Sequence, residues 1–113
     1  MNRVILIGNL TKDPELKYTP NGIAVCNFTI AVNRPRNSYD NEQQADFIHI
    51  IAWQKLADIC ANYLTKGREA AVEGRLHTRS YEKDGRRVYV TEVVAERVDF
   101  LGARPVESYP QGT

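Results

Sequence analysis

At 113 residues the chain fits one compact domain, with no room for a second of ordinary size. Hydrophobic residues make up 42% of it and charged residues 26%, the balance of a soluble globular chain, and no stretch approaches the length of a membrane span. Lys and Arg number 15 against 14 Asp and Glu, a formal net charge of +1, so a surface for a polyanion has to come from local clustering.

The first predicted strand runs from Val4 to Leu10. Its run Val4–Ile7 is apolar at every position, which predicts cover on both faces, and Gly8-Asn9 interrupts it too early for a signal peptide. Thr19-Pro20-Asn21-Gly22 is a turn signal, with Pro pre-setting one dihedral and Gly accepting a positive φ. From Ile23 to Asn33 one face carries Ala24, Cys26, Phe28, Ile30 and Val32, which predicts a strand with that face inward. A polar segment follows to Gln44 and reads as a long exposed loop, the kind that is functional or disordered in so small a domain.

From Phe47 to Trp53 the inner set is Ile48, Ile50 and Ala52, which puts Phe47, His49, Ile51 and Trp53 on the opposite face. Leu56, Ile59, Cys60, Tyr63 and Leu64 then fall on one stripe of a helix, with Lys66-Gly67 as its expected end. From Ala71 to Tyr81 the inner set is Val72, Gly74 and Leu76, and Glu73, Arg75, His77, Arg79 and Tyr81 point outward. Asp84-Gly85 reads as a hairpin tip, with Val88–Val94 as the returning strand and Arg97–Leu101 adding a short one. The tail 102–113, with Pro105, Pro110 and Gly112, has no pattern and is expected to be disordered.

An all-β chain of five main strands, with one short helix between the third and fourth, has the order of an OB-fold, a small Greek-key barrel. The pattern alone leaves an SH3-like barrel or a generic small α+β domain in play, and the helix position favours the OB-fold. Cys26 and Cys60 form no CxxC pair and read as two buried, reduced thiols, consistent with a cytoplasmic protein.

Phe47 and Trp53 face away from a core that the other side of their strand already supplies, so a ligand or a neighbouring subunit must cover them. A surface for single-stranded nucleic acid needs rings to stack on bases and cations to meet phosphates. Arg75, His77, Arg79 and Tyr81 provide that mixture on the next strand. Lys83, Arg86 and Arg87 surround the hairpin tip, and Arg34 and Arg36 lie in the long loop. From the residues alone, single-strand binding and a protein-interaction module with rings buried between subunits both stand. An enzyme is the weakest reading: Ser38, Ser80 and Ser108 lie in no nucleophile motif, His49 and His77 lack triad partners, and no metal-ligand spacing or phosphate loop occurs, so no metal or cofactor is expected.

Several separated segments resemble the bacterial single-stranded DNA-binding protein family. They include Asn2–Glu15, Tyr18–Gly22, Phe28–Asn33, Ala45–Phe47, Tyr63–Gly67, Glu73–Tyr81 and Tyr89–Val94, in the family's order, over roughly residues 1–101. The resemblance implies an OB domain over 1–101 that binds single-stranded DNA without strong sequence preference, in replication, recombination, repair or DNA uptake. It implies stacking by Phe47, Trp53 and Tyr81 and phosphate contacts from Arg3, Lys55, Lys66 and Arg79. It also implies a homotetramer, which would cover both faces of Val4–Ile7; a primosome-type OB protein, similar in fold and also able to bind single strands, is a rival reading that would differ chiefly in its partner proteins. Where many members carry a loop aromatic this sequence has Pro35-Arg36; the Arg36 plane can stack on a base, and Tyr39 is the ring that this loop offers. The chain ends Glu107–Thr113 without the family's acidic, Phe-terminated tip, so recruitment of repair proteins through such a tip is not expected of it.

Overall fold

Alternation along Ala24–Asn33 becomes a strand whose residues Ala24, Cys26, Phe28 and Ile30 are buried while Val25, Asn27 and Thr29 are only half-buried. The computed structural model describes residues 1–35 and 44–102 and contains strands β1 (Val4–Leu10), β2 (Glu15–Tyr18), β3 (Ala24–Asn33), β4 (Ala45–Trp53), β5 (Glu69–Lys83) and β6 (Arg86–Leu101), with helix α1 (Gln54–Tyr63) between β4 and β5. The strand order is β1-β5-β6-β4-β3-β2, and β1 also pairs with β3, so five strands close into a ring. The parallel pairs Ile50↔Val93 and Ile51↔Val94 close one seam, and Asn9↔Ala31 and Leu10↔Ile30 close the other. This is the five-stranded OB barrel with its helix after the third ring strand. The sixth strand, β2, lies outside the ring and pairs only with β3 through the turn at Thr19–Gly22. In that turn Gly22 takes φ +82° and donates its N–H to Thr19 O at 2.8 Å.

Ile30, Ile50, Val72 and Val93 fill the barrel, and Leu64, Ala57 and Cys60 close its end from the helix side. Both thiols belong to this core. Burial pushes the Cys26 thiol up to about 11; burial, and then the nearby charge of Cys26, push the Cys60 thiol up to about 12.

Three expectations need correction. The helix ends at Tyr63, before Lys66-Gly67. Leu64 turns extended there, donates its N–H to Cys60 O at 2.9 Å and drops its side chain into the core. The buried helix positions are Ala57 and Cys60, whereas Tyr63 is exposed with its ring centroid 5.9 Å from that of Phe100. Gly67, at φ +86°, instead folds the following turn back onto the barrel by donating to Leu10 O at 2.8 Å.

Apart from these, the run Val4–Ile7 is covered on one face within the single chain, its expected cover on the other face being a second copy. Val4 and Leu6 pack on the core, but Ile5 and Ile7 stand exposed in the single chain, because the outer face of β1 meets no other element. Finally, Leu76 is exposed rather than inward. From Arg75 onward β5 no longer pairs with β1 and has β6 as its only strand neighbour, forming a two-stranded ribbon with it, so its side chains are exposed.

A register shift at Glu73/Gly74 marks that departure: Glu73 faces Arg97 while Gly74 faces Ala95, leaving Glu96 as an extra residue. Arg97–Leu101, expected as a separate short strand, is therefore the continuation of β6 past a bulge. Gly74 is required there, since a Cβ would collide with the Val94 carbonyl. At the ribbon tip Asp84 and Gly85 take φ +52° and +77°, the pair of positive dihedrals of a tight hairpin turn.

Candidate nucleic-acid interface

The ladder registers place the outward residues of four strands side by side. Val25 stands opposite Trp53, and Thr29 opposite His49. Asn27, Ile51, Val94 and Arg75 form one continuous row across β3, β4, β6 and β5. His77 is paired with Glu92, and Arg79 with Val90. Because β4 and β5 belong to one ring, their outward faces, each read separately from alternation, become one surface.

A groove of about 510 Å³ runs over this surface, lined by Val25, Asn27, Ile51, Trp53, Arg75, His77, Arg79, Glu92 and Val94. Trp53 is 40% exposed on its β4 side. Tyr81, 43% exposed, extends the site along the ribbon, with the Arg79 guanidinium carbon 5.9 Å from its ring centroid. Phe47, 69% exposed, lies at the far end of the same face of β4, about 20 Å from Trp53 along an extended strand. These rings stand outside the filled core and keep open aromatic surface available to a flat partner.

Several cations are steadied by carboxylates. Arg79 Nε donates to Glu92 Oε2 at 3.3 Å, and Arg75 Nε lies 3.7 Å from Glu96 Oε2, the bulge residue. Each guanidinium remains half exposed, so it is aimed rather than consumed. His49 Nε2 meets Asn27 Oδ1 at 2.9 Å and lies 3.9 Å from Glu92 Oε1. At the ribbon tip Arg87 Nη1 donates to Ser80 Oγ at 2.9 Å.

Of the residues named from sequence, Trp53, Arg75, His77 and Arg79 share the groove, and Tyr81 and Phe47 flank it. Lys55 is exposed in the first turn of α1, two residues after Trp53. Arg3 is ion-paired with Glu73, which holds it against β5. Arg34 and Lys66 do not line the groove. Arg34 sits at the base of the long loop, where its Nη2 is 2.7 Å from Asp46 Oδ1 and its backbone N–H donates to Gln44 O at 2.9 Å. Lys66 follows the helix, its backbone N–H bonded to Asp13 Oδ1 at 2.8 Å. Arg36 and Tyr39 lie outside the described residues, as does nearly all of the tail.

Asn27 and Glu92 are the polar groove residues that sequence reading missed, along with apolar Val25 and Val94. Glu92 carried a signal: an acid inside the β-branched run Val88–Val94, at the parity opposite to inward Val93. Among the described residues no group of His, Cys, Asp and Glu could hold a metal ion, and no helix is long and apolar enough to cross a membrane.

The sequence is 58% identical over 109 residues to a single-stranded DNA-binding protein of Halalkalibacterium halodurans, covering 96% of this chain and 65% of that one. It is 61% identical over 105 residues to its counterpart from Bacillus cereus, covering 92% of this chain and 62% of that one. Single-stranded DNA-binding protein A of Bacillus subtilis is 57% identical over 102 residues, covering 89% of this chain and 59% of that one. The chain thus spans about three fifths of the length of these relatives. The single-strand binding protein family matches residues 1–101, the whole of the barrel and its ribbon, and the chain belongs to that family.

Proposed function

We propose that this chain binds and protects single-stranded DNA without strong sequence preference, stacking bases on Phe47, Trp53 and Tyr81 and meeting phosphates with Arg75, Arg79 and the basic residues around them. One observation carries the reading: exposed rings and half-free guanidiniums share one continuous face of the barrel. Stacking tolerates any base because every base has a flat π-face, and phosphate contacts are blind to sequence. Arg3, Lys55, Lys66 and Arg34 extend the cationic path beyond the groove, Arg36 adds a further cation to it, and Tyr39 offers a further ring for stacking. The protein acts by binding and not by catalysis, in the cytoplasm, wherever replication, recombination, repair or DNA uptake exposes single strands.

The working unit is a homotetramer. Support comes from Ile5 and Ile7, 66% and 52% exposed on the outer face of β1, an apolar strip that a second copy would cover. A mobility-shift assay with dT oligonucleotides, beside the same length of duplex, tests the binding. Retention of the single strand alone is expected, and no shift with dT would refute it. Mass measurement in solution should return four copies, and a monomer at micromolar concentration would remove the assembly.

A further inference from the structure

Where β5 parts from β1, one side chain takes over the ladder. Continued past Val4↔Gly74, the register brings Asn2 opposite Leu76, just before β1 begins. There the Asn2 amide does what a strand backbone would do. Its Nδ2 donates to Leu76 O at 2.9 Å, and its Oδ1 accepts from Leu76 N–H at 2.8 Å. A carboxamide carries the donor and the acceptor of a peptide group, so it can close a rung in place of one. That rung is the last on which the ribbon is tied to the ring. Leu76 faces Val93 on its other edge, and Val93 pairs with Ile50; among the described residues β4 and β6 pair no nearer the tip. From His77 outward each strand of the ribbon has only the other for a neighbour, so no further strand pairing fixes its direction. The bulge beside Gly74 interrupts the ladder just before this rung, which leaves Leu76 to set the angle.

Resting on the single-strand reading above, we infer that Asn2 is a positioning residue for the nucleic-acid surface. By closing the rung at Leu76 it sets the angle at which the ribbon presents Arg79 and Tyr81 to a strand lying on the barrel. The two parts of that surface are held differently. Phe47 and Trp53 stand on β4, which is paired along its whole length with β3. Arg79 and Tyr81 stand beyond Leu76, where β5 has β6 alone. Tyr81 is roughly 17 Å from Leu76 along an extended strand, so a small rotation at the rung displaces its ring more than it displaces the rung. Stacking needs a ring flat against its base, which makes it sensitive to such a displacement.

A double-mutant cycle in dT binding tests this. Asn2 lies on the surface, and Asn2→Ala removes both bonds while leaving every ring and cation of the interface in place. Affinity for a dT strand should fall roughly three- to tenfold, part of what the loss of one stacking ring costs. In a background that already carries Arg79→Ala and Tyr81→Ala, the same change should cost less than about twofold, because the groups it aims are gone. In a Phe47→Ala background it should cost the full factor again. Unchanged affinity with Asn2→Ala overturns the inference. An equal fall in all backgrounds overturns it too, marking Asn2 as a direct contact with the strand or as support for the whole fold. A second arm needs no variant: the Leu76 amide of the unaltered protein should be protected from hydrogen exchange. A Leu76 amide that exchanges as freely as one facing solvent would remove the rung and the inference with it. Failure of the unaltered protein to bind dT would instead refute the single-strand reading itself.

Discussion

The two faces of β4 share one backbone and do opposite work. Ile50 and Ala52 are fully buried and help to fill the barrel, while Phe47 and Trp53, on the other parity, keep 69% and 40% of their surface open. The inner face is aliphatic and tightly packed, so its contribution is to stability. The outer face carries the larger side chains and gains little from folding, so its aromatic surface is explained by what it meets. Stability and binding should therefore be separable by residue parity along a single strand.

The largest expected effect falls on the inner face. Ile50→Ala should cost about 3 kcal/mol of folding stability by leaving a cavity. Urea denaturation would measure it, and affinity for dT strands should hold wherever the variant is still folded. The buried thiols give the inner face a pH signature. Their folded pKa values, about 11 and about 12, lie above the ordinary 9.0, so the folded state holds protons that the unfolded chain releases. Their stabilising contribution is full below pH 9 and is lost as pH rises through 11 and 12. Denaturation between pH 8 and pH 10.5 should show this decline, with a shallower one in Cys60→Ala.

The outer face should answer in binding and not in folding. Trp53→Ala should weaken single-strand affinity by about 2 kcal/mol while leaving the urea midpoint close to that of the parent. If the same change dissolves the assembly and leaves affinity intact, the rings serve an interface between subunits. Arg79→Ala is expected to reduce the slope of log affinity against log salt by about 0.7, the share of one phosphate contact on a single strand. The smallest effect lies where the two roles meet. Gln54 follows Trp53 at φ +59°, a left-handed conformation that only glycine adopts without strain. Gln54→Gly should stabilise the chain by less than about 1 kcal/mol, the relief of strain being partly offset by a freer unfolded chain.

Parity is local, so most of this arrangement was legible in sequence. Ile48, Ile50 and Ala52 against Phe47, His49 and Trp53 follow from a period of two, and Asp84-Gly85 announces its own turn. What escaped depends on distant residues. Leu76 keeps the inward parity of Val72, but whether a core exists beneath it depends on where the ring closes, which Ile50↔Val93 decides across more than forty residues. The bulge opposite Gly74 arises from β6, which supplies one residue more than β5 can pair. Glu92 was visible as an acid among β-branched neighbours, yet its place between Arg79 and His49 exists only once β6 lies between β5 and β4.

Trp53, the only tryptophan of the chain, reports directly on the groove. Titration with poly-dT should quench its fluorescence strongly and saturably, with the affinity falling linearly in log units as salt is raised, because cations displaced from the strand return on dissociation. An emission that poly-dT leaves unchanged, together with no shift in mobility, would contradict the assignment of this face to single-stranded DNA.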